Sequence, residues 1–279
     1  MQLSLEKLPV SERMVLIEQL WDSIISDSKS LKDTECIPLT SSQEKLVELL
    51  DKRLSKYAEN KFYHRFNIEN IIGSRGIKHF CHFTPINNLE NILNNGLYPR
   101  DYIDENIPDA IWTDDGRFEG MKNGVCLSIS FPNHQMFYKK RMQRKDIESW
   151  AVILLDARKV ILNHDCAFFQ TNSAFGDYRN KSLNEFMTYN AFLSLFEEEV
   201  ETRNGFVTRE DYLKDKFPTN VQAEVVVFDH ILPDSIKGCF LQNEKTLKYF
   251  GEKFNQFGFS IDSSKNPAFG KREWLFNKK

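Results

Sequence analysis

The chain has 279 residues with 41% hydrophobic and 28% charged composition, which suits one or two globular domains with a substantial buried core. A net charge of −3 means that any nucleic-acid contact must come from a local basic patch, because the surface as a whole is not cationic. No run of about eighteen apolar residues exists to span a membrane, and the amphipathic start does not read as a signal peptide. Cys36, Cys81, Cys126, Cys166 and Cys239 are scattered, with no Cys-x-x-Cys pair. This predicts free thiols in a reducing cytoplasm and neither a disulfide framework nor a zinc site.

In chain order, the first sixty or so residues read as helical. Pro9 suits a helix start, and Met14, Ile17, Leu20, Trp21, Ile24 and Ile25 recur at three- and four-residue spacing. After a polar break from Ser26 to Asp33, a capping-box pattern at Thr40 to Gln43 opens a second amphipathic helix with Leu46, Leu49, Leu50, Leu54 and Tyr57. From about Gly76 the pattern changes. Ile77 to Thr84 is strand-like, and Asn88 to Asn94 is a short helix stopped by Gly96. Gly124 to Phe131 alternates like a strand, and Trp150 to Leu155 is apolar enough to be a strand buried on both faces.

Leu183 to Leu195 reads as one helix, Thr202 to Thr219 as a polar, turn-rich loop, and Val221 to Phe228 as an apolar strand interrupted only by Glu224. A helix around Thr246 to Phe254 and a polar strand or coil follow. These elements make an α+β arrangement without regular βαβ alternation. With no Gly-x-Gly-x-x-Gly and no Walker loop, dinucleotide-fold and P-loop chemistry are unsupported.

Two groups of residues carry chemistry. A carboxylate in an apolar strand is costly unless paired or functional, which singles out Gln222-Ala223-Glu224. A Gln-x-Glu after a loop resembles the pattern found in ADP-ribosyltransferases, which implies a carboxylate that stabilises positive charge developing at an anomeric carbon, a logic shared with glycoside hydrolysis. Lys139, Lys140, Arg141, Arg144 and Lys145 follow Phe137-Tyr138, and basic residues beside aromatics suit a single-stranded nucleic acid. His79-x-x-His82 does not read as a metal site, because those side chains would face opposite sides of a strand.

His82-Phe83-Thr84, followed by Asn88-Leu89, Ile92-Leu93 and Gly96-Leu97, resembles the first motif of the DarT family, bacterial toxins that ADP-ribosylate DNA. Gly116-Arg117 ahead of Gly124 to Arg141 is similar to that family's central block, and Phe168 to Ala174 to a segment lining its NAD pocket. The resemblance spans about residues 77–243. It implies an ADP-ribosyltransferase-like split β-sheet core with peripheral helices, and NAD as co-substrate with no metal. It further implies NAD contacts from His82, Phe83, Thr84 and Asn172, with Glu224 and an arginine as catalytic residues. Arg117 fits that arginine best by position, and Arg141 is the competing candidate. Gln222, Phe137, Tyr138, Lys140 and Arg141 would meet the acceptor, a thymine or guanine in single-stranded DNA. The acidic run Glu197 to Glu201 keeps RNA or a protein side chain open as acceptor.

Leu8-Pro9-x-x-Glu12-Arg13 with Leu20-Trp21-Asp22-Ser23-Ile24, and later Leu50 to Tyr57, resembles small addiction-module antitoxins. This divides the chain into a helical antitoxin-like segment, 1–62, and a transferase domain, 63–279. It implies a place in a toxin–antitoxin or phage-defence system, in which the segment either restrains the transferase or docks a cognate antitoxin on residues 3–60; a helical appendage packing on the transferase domain is the plainer reading. A non-catalytic interaction module and an NAD glycohydrolase are the competing classes.

Overall fold

The computed structural model describes residues 60–111, 121–176, 178, 181–263 and 267–276. The helices expected before residue 60, Cys36 and Arg117 lie outside the described residues. Residues 60–75 form helix α1, whose Ile68, Ile71 and Ile72 are buried at helical spacing. Lys61 and Arg65 on the same helix both pair with Asp165, at 2.9 and 3.0 Å.

Strand β1 (His79–Pro85) runs directly into α2 (Ile86–Asn95), which buries Leu89 and Leu93 one turn apart. Helix α2 stops at Gly96, where φ is 86° and a side chain would overlap the Ile231 carbonyl, so glycine is required twice over. Helix α3 (Arg100–Asn106) and β2 (Val125–Ile129) follow. Asn133 accepts from the Met136 N–H to cap α4 (His134–Gln143). Strand β3 (Trp150–Asp156) ends on Asp156, whose carboxylate caps α5 (Ala157–Asn163), and β4 (Cys166–Phe169) comes next.

Where one helix was expected over Leu183 to Leu195 there are two, α6 (Leu183–Phe186) and α7 (Tyr189–Ser194). The Thr188 hydroxyl accepts from the Ala191 N–H and starts a new helix, which interrupts the first. A hairpin, β5 (Glu199–Thr202) and β6 (Gly205–Thr208), turns at Gly205 with φ 103° and takes up the start of the loop expected from Thr202. The remaining elements are β7 (Glu224–Val227), β8 (Ile236–Leu241), α8 (Glu244–Lys253) and β9 (Gly258–Ile261).

Seven strands form one sheet in the order β4-β7-β2-β1-β3-β8-β9, antiparallel throughout except for the β8–β9 pair. Strand β3 is buried on both faces, as its apolar run predicts. Ala151, Ile153 and Leu155 enter the large core under α1, α2 and α5, while Trp150 and Val152 enter a second core with Phe137 and Phe269.

The sheet is not continuous at its centre. Pairing of β1 with β3 extends from His79↔Asp156 to Pro85↔Trp150. Pairing of β1 with β2 covers only Phe80↔Ile129 and Cys81↔Ser128. Beyond Cys81 the two strands part, so backbone groups of β1 and β2 face a gap in place of a ladder.

His79, His134 and His164 each have a pKa below the ordinary histidine value, with burial the largest cause in all three. An unfolded chain takes up protons at these sites as pH falls through the model-peptide value of 6.5, while the folded chain resists. Stability from these groups is therefore present above that value and is lost below it. The melting temperature at about pH 5.5 is expected to lie below that at about pH 7.5, measured by calorimetry; equal values would count against a net loss of stability from these groups.

Candidate active site

The gap between β1 and β2 opens into a cavity of about 320 Å³, lined by His82 to Pro85 from β1 and Val125 to Ser128 from β2. His82 spans the split: its Nδ1 lies 3.1 Å from the Cys126 carbonyl oxygen. A carbonyl only accepts, so Nδ1 donates there and the ring orientation is fixed across the split. Thr84 is 3% exposed, and its hydroxyl accepts from Asn88 Nδ2 at 3.2 Å. Asn88 also pairs with both backbone groups of Ile111, donating to its carbonyl at 3.0 Å and accepting from its N–H at 2.9 Å. One α2 side chain thus ties Thr84 to the far wall of the cavity.

Glu224 stands at the first residue of β7, paired with Phe169 on β4. The expectation that it sits inside a buried strand is corrected: Val221 to Ala223 form a turn, and the carboxylate is half-buried at the cavity wall. Its Oε2 accepts from the Ser173 N–H at 2.9 Å. Asn172 precedes that residue and fixes the local turn by accepting from the Ala174 N–H at 3.0 Å. Gln222 is held by a similar turn, its N–H donating to Asn220 Oδ1 at 3.0 Å, and its Nε2 reaches Gln135 Oε1 on α4 at 2.9 Å.

The cavity therefore gathers His82, Phe83, Thr84, Lys140, Asn172, Gln222 and Glu224, which the sequence scatters over 143 positions from 82 to 224. Three expected acceptor contacts are not among its lining residues. Phe137 is 0% exposed and packs on Phe83, Trp150 and Phe269, so its ring has no face left for a base. Arg141 is turned inward, with Nη2 donating to the Phe269 carbonyl at 2.6 Å and the guanidinium lying over Phe137. Tyr138 is 59% exposed and lies outside the cavity lining.

Residues not singled out from the sequence also line the cavity. These include Arg100 and Tyr98, the latter stacked on Tyr102 and His230 at centroid distances of 4.3 and 3.8 Å. The described lining carries two fixed cations, Arg100 and Lys140, and two carboxylates, Asp109 and Glu224. A dinucleotide needs that mixture, with cations for its diphosphate and a carboxylate for a sugar that develops positive charge. Among the described residues no group of His, Cys, Asp and Glu could hold a metal, and no helix is long and apolar enough to cross a membrane.

The family described as "ssDNA thymidine ADP-ribosyltransferase, DarT" matches residues 81–276. No curated protein matches the sequence. Among solved structures, the chain is similar to Thermosipho africanus DarTG in complex with ADP-ribose, at 13% identity and a TM-score of 0.45 over 66% of this chain. It spans 50% of the length of that DarTG chain. Thermus sp. 2.9 DarT in complex with NAD+ gives 14% identity and a TM-score of 0.42, covering 71% of this chain and 96% of that one. The same Thermus protein in complex with ADP-ribosylated ssDNA gives 11% identity and 0.44, again over 71% and 96%.

Proposed function

This chain belongs to the DarT family, and on that premise we propose that it transfers ADP-ribose from NAD to the base of a thymidine in single-stranded DNA. The observation that carries the reading is that His82, Thr84, Gln222 and Glu224, from two separate motifs, line one cavity at the split of the sheet. NAD occupies this cavity, with His82, Phe83, Thr84 and Asn172 holding its nucleoside portions and Lys140 and Arg100 facing its phosphates. The bond between nicotinamide nitrogen and ribose C1′ breaks, and nicotinamide leaves with the electron pair. Glu224 offsets the positive charge that develops on the sugar. Thymine has one ring nitrogen free of deoxyribose, N3. Its electrons form the new bond to C1′, and its proton passes to Glu224. Gln222 faces the acceptor, and Arg117 is the arginine that orients diphosphate and base. A base must be unstacked to present N3, which favours a single strand.

The test is incubation with labelled NAD and a thymidine-containing single-stranded oligonucleotide. Label on the oligonucleotide, confirmed on the base by mass spectrometry, is expected. Label recovered only as free ADP-ribose would replace this reading with that of an NAD glycohydrolase.

Residues 1–62 form, in this reading, a separate antitoxin-like segment ahead of the transferase domain, 63–279, and a cognate antitoxin docks on residues 3–60. The activity belongs in the cytoplasm, where dispersed thiols stay reduced. Equal toxicity of the full chain and of one beginning at Asn60, together with equal antitoxin binding, would remove that role from the segment.

A further inference from the structure

Gln222 and Glu224 are two residues apart yet are anchored by different means. Glu224 belongs to the β-ladder, paired with Phe169 and bonded to the Ser173 N–H. Gln222 lies before the ladder, at the end of a segment from Arg209 to Ala223 with no strand of its own. That segment is held by two guanidinium groups bound to its backbone carbonyls. Arg209 donates to the Phe217 carbonyl at 3.0 Å and to the Lys214 carbonyl at 3.3 Å. Arg272 arrives from the opposite end of the chain, on the 3-10 turn Arg272–Leu275, and donates to the Pro218 carbonyl at 2.6 Å and the Thr219 carbonyl at 3.2 Å.

The turn that carries Arg272 fixes the second support of Gln222 as well. The Arg272 backbone N–H donates to His134 Nδ1 at 3.4 Å, and His134 opens the helix whose next residue, Gln135, holds the Gln222 amide. Leu275 and Phe276 pack against Phe131, Leu213 and Phe217, closing an apolar cluster over the same segment. Arg272 is only 7% exposed. A charge so deeply buried is costly unless it is bound, and two successive carbonyls match the planar fork of a guanidinium, where an ammonium offers one point of charge.

We propose that Arg272 is a positioning residue for the acceptor: it holds the Pro218–Gln222 segment against α4, so that ADP-ribose is captured by the base before water reaches it. The inference rests on the function proposed above, in which Gln222 faces the acceptor. Glu224 keeps its place through the sheet, so loosening the clamp leaves cleavage of NAD intact. What changes is the nucleophile at C1′. With the base displaced, water forms the bond, releases its proton to solvent and yields free ADP-ribose.

The experiment measures, in the full chain, the ratio of ADP-ribosylated oligonucleotide to free ADP-ribose at saturating NAD for Arg272→Lys, with nicotinamide release as the cleavage readout. A ratio lowered about tenfold, with release per folded molecule near that of the unaltered chain, is expected. The ratio does not depend on what fraction of the sample is folded, so a purely structural role lowers both products together and leaves it unchanged. That result would overturn the proposal. Arg209→Lys, which touches the same segment from within, serves where Arg272→Lys yields no folded protein, and an unchanged ratio there overturns it equally. Nicotinamide release that survives Glu224→Gln would instead overturn the underlying reading of the site.

Discussion

Replacing Glu224 with Gln is expected to lower nicotinamide release and oligonucleotide labelling together, by about a thousandfold in kcat. The substitution keeps the size of the side chain and leaves an oxygen to accept from the Ser173 N–H, now at 2.9 Å, so the β4–β7 edge of the cavity should keep its shape. What it removes is a full negative charge facing a sugar that becomes cationic only in the transition state. Such a loss appears in kcat, while the KM for NAD should move by less than about threefold. Parallel assays of the two products separate the two tasks given to this carboxylate. If labelling falls while nicotinamide release persists, the reading of Glu224 as the group that stabilises the sugar cation is overturned, and its role is confined to deprotonating the base.

Phe137→Ala is expected to destabilise the fold by about 3–5 kcal/mol, because a large side chain leaves a cavity that its neighbours fill only partly. The ring is wholly buried, 4.6 Å from Phe83, 5.3 Å from Phe269 and 5.6 Å from Trp150 by centroids, and it supports the guanidinium of Arg141. A fall in melting temperature on the order of 10 °C should result. Phe83 is both a cavity wall and a neighbour of this ring, so cleavage of NAD should weaken as well. Tyr138→Ala, one residue along, should change stability by no more than about 0.5 kcal/mol, since its side chain faces solvent. An unchanged melting temperature in Phe137→Ala, combined with loss of oligonucleotide binding, would return the ring to the stacking role that its basic neighbours suggested.

That pair of neighbours shows where sequence reading stops. Helix α4 reads His-Gln-Met-Phe-Tyr-Lys-Lys-Arg-Met-Gln, with too few apolar residues to mark a face, and its one buried side chain is Phe137. Local pattern cannot choose between Phe137 and Tyr138 when a single aromatic anchors the helix. The second core decides, through Trp150 and Phe269, which lie far along the chain. The hairpin that overlaps the start of the expected loop was hidden for a related reason: strands of four residues, mostly exposed, carry too little alternation to stand out.

Other features were legible because the chemistry that demands them is local. The uninterrupted apolar run from Trp150 marks a strand covered on both faces, and Gly96 marks the stop of α2. His82-x-Thr84 and Gln222-x-Glu224 are readable as motifs, because residue type and spacing carry their meaning. Pattern and residue type alone marked several of the elements, the family resemblance and the residues proposed to carry the chemistry. That these groups share a cavity follows from the fold alone, since the cavity exists where β1 and β2 stop pairing after Cys81. The fold also decided that Arg272 braces the segment leading to Gln222. Ladder termination and carbonyl clamping join residues remote in the chain, and such joints leave no periodicity in any local window of sequence.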